Sequence, residues 1–207
     1  MSGPSPIGRP LGADGEHTRR RIMEAAMADV ADAGYAHATM KSIAERAGLT
    51  SAAIYHYFRS KQELVLAVLT ASVDEVVARL DEATHPEGTL RQRFTALLDE
   101  ALAIVKDHPA LTRFVATVYL ESGKRPEFTP VLNAGREAEE KIYLRLIDEA
   151  VRAGELADGV DRDGLVDTFT SLTWGLRYLS ATAAPERHRA AIDTVGALVS
   201  GTLFRAP

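Results

Sequence analysis

Apolar residues recur three and four positions apart over most of this chain, and no stretch alternates in the manner of a half-buried strand. The first helix is expected from Thr18 to Ala33, with Met23, Ala26, Met27 and Val30 on one stripe and Gly34 closing it. A short helix follows from Met40 to Ala47, behind a Thr39 hydroxyl placed as an N-cap, with Ile43, Ala44 and Ala47 on one face. Gly48 interrupts the chain, and Thr50 caps a third helix reaching Phe58. Ser60 and Glu63 have the spacing of a capping box and open a long fourth helix to Glu82. A second such box, Thr89 to Gln92, opens a fifth that carries Phe94, Leu97, Leu98, Leu102 and Val105 and is broken at His108-Pro109. Four more helices are expected: Ala110 to Glu121, Pro130 to Ala153, Asp163 to Ala181, and Pro185 to Phe204. The fold class is therefore all-α, with about nine helices.

Residues 1–15 are rich in Gly, Pro and Ser, lack periodicity and read as a flexible N-terminal arm. The chain has no cysteine, which removes disulfides, thiolate zinc sites and cysteine nucleophiles together. No apolar run approaches the roughly 20 residues a membrane span needs, and the N-terminus has no apolar signal core. The expectation is a cytoplasmic protein that engages no membrane. The formal net charge is −5, unevenly spread: residues 1–61 hold eight Lys/Arg against six Asp/Glu (net +2), and residues 62–207 hold sixteen against twenty-three (net −7). A mildly basic head on an acidic body suits a molecule that presents one end to a polyanion.

Two short helices about a Gly-containing turn form the helix-turn-helix pattern. On a helical wheel Phe58 lies about 40° from Ile54, whereas Ala52 and His56 lie roughly 160–200° away. Ile54 and Phe58 thus point to the core. The opposite side offers small residues, then His56 flanked by the hydroxyls of Tyr55 and Tyr57. Small residues let the start of a helix approach a duplex closely, and its free N–H groups favour phosphate. From pattern alone two readings stay open: a DNA-reading helix, or tyrosines that simply pack.

The segment AGLTSAAIYHYFRSKQEL, Ala47 to Leu64, and the upstream AGYAHATMKSIAERAG, Ala33 to Gly48, resemble the signature of the tetracycline-repressor (TetR) family of transcriptional regulators. The resemblance runs over about 45 residues, Thr18 to Leu64; beyond them it is architectural only. It implies a helix-turn-helix DNA-binding domain at residues 16–61 and an effector-binding and dimerisation domain at 62–207. It further implies that Thr39 and Lys41 touch phosphates, and that Thr50, Ser51, Ala52 and Ala53 meet DNA at the start of the recognition helix. Tyr55, His56 and Tyr57 would contact backbone or base edges, and Lys61 a phosphate. The family often has a hydroxyl residue where this chain has Met40, which puts that contact in doubt. Residues 51–57 contain no Arg, Asn or Gln, so bidentate readout of guanine or adenine is missing. Specificity is then expected from Ala52 and Ala53 against thymine methyls, His56, the N-terminal arm or DNA shape.

Leu165, Phe169, Leu172, Leu176 and Leu179 recur at coiled-coil spacing, and Ile192, Val195 and Val199 follow the same step. A homodimer interface is expected on Leu165, Phe169, Leu172, Leu176, Ile192, Val195 and Val199; the alternative buries both helices within their own domain. An effector pocket is expected on Phe94, Leu98, Phe114, Val118, Tyr119, Tyr143, Thr170 and Trp174, against the alternative of ordinary core aromatics. Glu121 and the acidic cluster at 137–140 read as solvated helix faces. His85, His108 and His188 are scattered, so no metal site is expected, and no cofactor either. The chain has no Gly-x-Ser-x-Gly, no phosphate loop and no Glu-x-x-His pair on an apolar face, so no catalytic residue is assigned. An enzyme on a helical bundle and a dimeric interaction protein without DNA are the competing readings. The function expected is a sequence-specific repressor, released from a palindromic operator in double-stranded DNA by a small-molecule effector of unknown identity, the fourth helix transmitting the change from body to head.

Overall fold

The computed structural model describes residues 11–85 and 87–204. Among the described residues there are nine α-helices and no strand: α1 (Leu11–Ala33), α2 (Met40–Arg46), α3 (Ser51–Tyr55), α4 (Lys61–Ala83), α5 (Leu90–Asp107), α6 (Pro109–Glu121), α7 (Thr129–Ala153), α8 (Arg162–Thr182) and α9 (Pro185–Val199). A 3-10 turn, Pro126–Phe128, precedes α7. The chain divides into two compact units, Met1–Val68 and Leu69–Pro207, with the division inside α4. That is seven residues beyond the boundary expected after residue 61. Residues 1–10 of the expected arm lie outside the described residues, and α1 begins at Leu11 rather than Thr18.

The first unit is a three-helix head continued by the start of α4. Its core is Ile22, Ala26 and Val30 of α1, Ile43 and Ala44 of α2, Ile54 of α3, Phe58, and Leu64 and Val65 of α4, all 2% exposed or less. The α1 stripe is rotated from the one expected: Met23 and Met27 are half-buried, and Ile22, Ala25 and the carboxylate of Asp29 face inward. Asp29 is tolerated there because Ser42 Oγ donates to it at 2.7 Å, while Arg46 Nε stands 3.6 Å away. Ser42 also completes the cap of α2: its N–H donates to Thr39 Oγ1 and its Oγ accepts from the Thr39 N–H, each at 3.0 Å. Gly48 takes φ +66° after α2, a left-handed conformation that costs a side-chain-bearing residue energy. The last carbonyl before it, Ala47 O, accepts from Arg21 Nη2 of α1 at 2.6 Å.

Capping fixes the other helix starts. Thr50 Oγ1 accepts from Ala53 N–H at 3.2 Å, and Ser60 Oγ from Glu63 N–H at 3.1 Å. The Glu63 carboxylate reaches the N–H of Arg59 rather than that of Ser60, at 2.9 Å, a capping box displaced by one residue. Thr89 and Gln92 make the reciprocal pair that their spacing predicts. Two expected ends move. Helix α3 stops at Tyr55, since the N–H groups of His56 and Tyr57 turn to carbonyls three residues back. Helix α9 stops at Val199 rather than Phe204, where Gly201 adopts φ +72° and Thr202 N–H folds back to Ala197 O at 2.9 Å.

The second unit packs α5 against α6, α7 and α9, and α8 against α6, α7 and α9. Its part of α4 is tied in by Arg79 to Glu100 at 2.6 Å and by Arg145, whose Nη2 donates to Asp81 and to Thr84, both at 2.7 Å. The centre is aromatic: Phe94 stacks on Phe169 with centroids 3.9 Å apart, and Tyr143 meets Phe169 edge-on at 6.1 Å. Gly135 of α7 lets α4 come close, for a Cβ there would lie 2.5 Å from Val73 Cγ1.

Candidate nucleic-acid interface and internal cavity

In the head, α3 sits with Ile54 fully buried and Phe58 2% exposed. Ser51, Ala52, Tyr55 and His56 are exposed, with Tyr55 at 53%, and Ala53 and Tyr57 are half-buried at the margin. The surface so formed has small side chains at its start and ring or hydroxyl groups at its end. Thr39, Lys41 and Thr50 are also exposed. Thr39 and Thr50 each serve as an N-cap, so their hydroxyls are held at helix starts. Lys41 stands 3.9 Å from Glu45 and is largely solvated. Met40, where a hydroxyl residue would suit a phosphate, is a core residue only 9% exposed; its side chain belongs to the packing of the head.

Lys61 has a duty that spacing did not reveal. Its Nζ donates to Tyr35 O and Ala38 O, both at 2.7 Å, and lies 4.4 Å from the centre of the Tyr35 ring. The ammonium thus closes the loop between α1 and α2, which is a structural role beside the phosphate contact that the resemblance implies.

In the second unit a cavity of about 160 Å³ lies among α4 to α9. Four of the eight expected residues border it: Leu98, Tyr119, Tyr143 and Trp174. Phe94, Phe114 and Val118 do not; they are 0% exposed and form the solid core behind it. Thr170 does not border it either; one helical turn on, Thr173 does. The wall is mostly apolar, with Val76, Leu97, Ile104, Val115 and Leu176 among its members.

One side of the cavity is polar. Glu139, 5% exposed, directs Oε1 to Arg177 Nη2 at 2.6 Å, while its Oε2 is buried with no hydrogen-bond partner. Arg177 also lies over the Trp174 ring, 5.5 Å from its centre, and Trp174 meets Tyr119 edge-on at 5.1 Å. Tyr143 OH donates to Thr173 Oγ1 at 3.0 Å. Burial, and after it the Glu139 carboxylate, pushes the Tyr143 phenol well above its ordinary range, so it stays protonated. His188, 3% exposed, also borders the cavity; burial pushes its pKa down against a hydrogen bond with the Leu176 backbone.

The reading of the 137–140 cluster as solvated is therefore wrong for Glu139. The signal was present: Gly135, Glu139, Ile142, Tyr143, Leu146, Ile147 and Ala150 form one buried stripe of α7. His188 likewise is a wall residue of the second unit. Among the described residues no group of three or more His, Cys, Asp or Glu could hold a metal ion.

The residues expected at a dimer interface separate into two sets. Phe169, Leu176 and Ile192 are buried within the chain itself, at 6%, 7% and 3% exposure. Leu165, Leu172, Val195 and Val199 are half-buried. The outward faces of α8 and α9 instead carry Ser171, Gly175 and Tyr178, and Thr194 and Leu198. No described helix is long and apolar enough to cross a membrane.

Residues 22–68 match the model of the family described as bacterial regulatory proteins, tetR family. The HTH-type transcriptional repressor KstR of Mycolicibacterium smegmatis is 26% identical over 187 residues, covering 83% of this chain and 92% of that protein. KstR2 of the same organism, also an HTH-type transcriptional repressor, is 29% identical over 164 residues, covering 75% and 76%. The fatty acid degradation regulator FadR of Bacillus halodurans shares the fold, with a TM-score of 0.75 over 97% of this chain and all of that one at 17% identity. The helix-turn-helix head, residues 22–68, thus matches the tetR family of bacterial regulatory proteins, and the fold of the whole chain is that of the solved regulators it resembles.

Proposed function

We propose that the chain is a cytoplasmic transcriptional repressor that binds a palindromic operator as a homodimer and is released by a small molecule entering the cavity of the second unit. The observation that carries the DNA reading is the orientation of α3. Ile54 and Phe58 anchor it from within, leaving Ser51, Ala52, Tyr55 and His56 outward where a major groove could receive them. Ala53 and Tyr57 flank that surface, and Thr39, Lys41, Thr50 and Lys61 supply backbone contacts. Repression is supported by KstR and KstR2, the repressors that this chain resembles over three quarters of its length or more.

Dimerisation is assigned to the outward faces of α8 and α9, where Gly175 and Ser171 permit close approach and Tyr178, 62% exposed, offers apolar area. A two-fold dimer then reads two half-sites separated by a helical turn or a multiple of it. The cavity binds and does not transform: no catalytic role is assigned to its residues. A ligand there shifts the population of the dimer only by as much as it prefers the state with the wrong half-site spacing. Helix α4, continuous from the head into the second unit, carries the change.

Mobility-shift titration on the DNA upstream of the chain's own gene, with random duplex as competitor, tests the reading. Retarded operator that survives competitor at moderate salt is the expected result. A chain that distinguishes no duplex from another overturns it.

A further inference from the structure

We infer that the cavity of the second unit is built for a ring-sized, largely apolar molecule carrying a neutral hydroxyl, which donates its hydrogen bond to Glu139 Oε2. The inference rests on the reading of this cavity as the effector site and adds the chemistry of the ligand.

A carboxylate oxygen that is buried without a partner is costly, and such groups in folded proteins are normally satisfied. Glu139 is 5% exposed and its Oε2 has no hydrogen-bond partner among the described residues, although Oε1 is held by Arg177 at 2.6 Å. The Arg177 contact holds the carboxyl group through Oε1, which leaves Oε2 an unanswered acceptor on the polar side of the cavity that Glu139 borders. The neighbouring polar hydrogens do not answer it: Tyr143 OH is given to Thr173 Oγ1, and Thr173 Oγ1 turns to Phe169 O at 2.9 Å.

The complement of an unpaired carboxylate oxygen is a donor. A ligand carboxylate offers none and would set oxygen against oxygen. A hydrocarbon would leave Oε2 as it is. An ammonium would lie beside the Arg177 guanidinium, which already neutralises the same carboxyl group. A hydroxyl donates without adding charge. Size narrows the rest: the volume is about 160 Å³, and a dry engineered cavity of about 150 Å³ takes up benzene. Tyr119 and Trp174, edge to face in the wall, give a ring something to pack against.

The chain's one tryptophan, Trp174, borders the cavity, so its emission reports occupancy. The full chain is titrated with 4-ethylphenol, ethylbenzene and 4-ethylbenzoate, and with the same three after Glu139→Gln. The phenol is expected to bind about tenfold or more tightly than ethylbenzene, as one charge-assisted hydrogen bond predicts, and the benzoate to be refused. Glu139→Gln turns an amide donor toward the cavity; the phenol's lead is expected to shrink and the benzoate to gain. Should the variant not fold, the ranking of the three ligands on the unaltered chain decides alone.

Ethylbenzene or the benzoate binding as well as the phenol overturns the hydroxyl assignment and leaves the cavity standing as a ligand site. No change of Trp174 emission with any of the three overturns both. Tight, Glu139-dependent phenol binding that never loosens operator DNA upholds the ligand chemistry and overturns the effector reading.

Discussion

The Lys61 ammonium sits 4.4 Å above the ring of Tyr35 and donates to that residue's own carbonyl at 2.7 Å. With Ala38 O as its other acceptor, it bonds to two carbonyls of the loop between α1 and α2. Lys61→Met keeps the stem and removes these bonds, so the head is expected to lose about 1–3 kcal/mol. Urea denaturation followed by far-ultraviolet circular dichroism reads this; a midpoint within error of the parent would show that the loop holds without its lysine.

Lys41 offers the contrasting case. It is solvated and its Glu45 partner is 3.9 Å away, so the pair adds little to stability. Lys41→Ala is expected to leave the melting temperature unchanged, weaken operator and random duplex alike, and flatten the salt slope by about 0.9 for each protomer, about 1.8 for the dimer. His56→Ala, on the outward end of α3, is expected instead to erode discrimination between the two duplexes. Binding isotherms at several salt concentrations separate these outcomes; equal losses on both duplexes for His56→Ala would remove histidine from the readout.

Gly135 and Val73 make a coupled pair. Gly135→Ala places a methyl 2.5 Å from Val73 Cγ1, an overlap expected to destabilise the second unit by about 1–3 kcal/mol. Adding Val73→Ala should return much of that loss, because the colliding methyl is gone. The thermal midpoints of both single variants and the double close the cycle. Strictly additive losses would mean that α4 and α7 do not press on one another there.

His188 predicts a pH response. Burial lowers its folded pKa below the ordinary value, about 6.5, so the unfolded chain takes up a proton that the folded chain refuses. Stability from this residue is present above roughly pH 6.5 and declines as the pH falls toward the folded pKa. The parent is expected to lose more thermal stability between pH 7.5 and 5.5 than His188→Gln does. Parallel curves would contradict the assignment.

Local signals carried much of the reading. The 100° step around α3 placed Ile54 and Phe58 inside and His56 outside, and the structure has them so. Thr39, Thr50, Ser60 and Thr89 announced helix starts because a cap is a relation over three residues. What stayed hidden depends on distant partners. Glu139 reads as surface until Arg177, 38 residues on, is known to meet it. The structural role of Lys61 stays hidden until Tyr35 and Ala38 are found beneath it. Phe94, Phe169 and Trp174 look alike on paper; only packing decides that the first two stack on each other while the third borders the cavity.

Thr39 and Ser42 hold one another's backbone N–H, and the Ser42 hydroxyl is anchored in turn on buried Asp29. A threonine left to swing among rotamers would surrender that freedom on meeting a polyanion. Here these bonds already hold the torsion, so the proposed contact of Thr39 with DNA would have less disorder to remove at this spot. Cutting the anchor with Asp29→Ala should therefore show in the entropy of DNA association, even though Asp29 itself faces away from solvent.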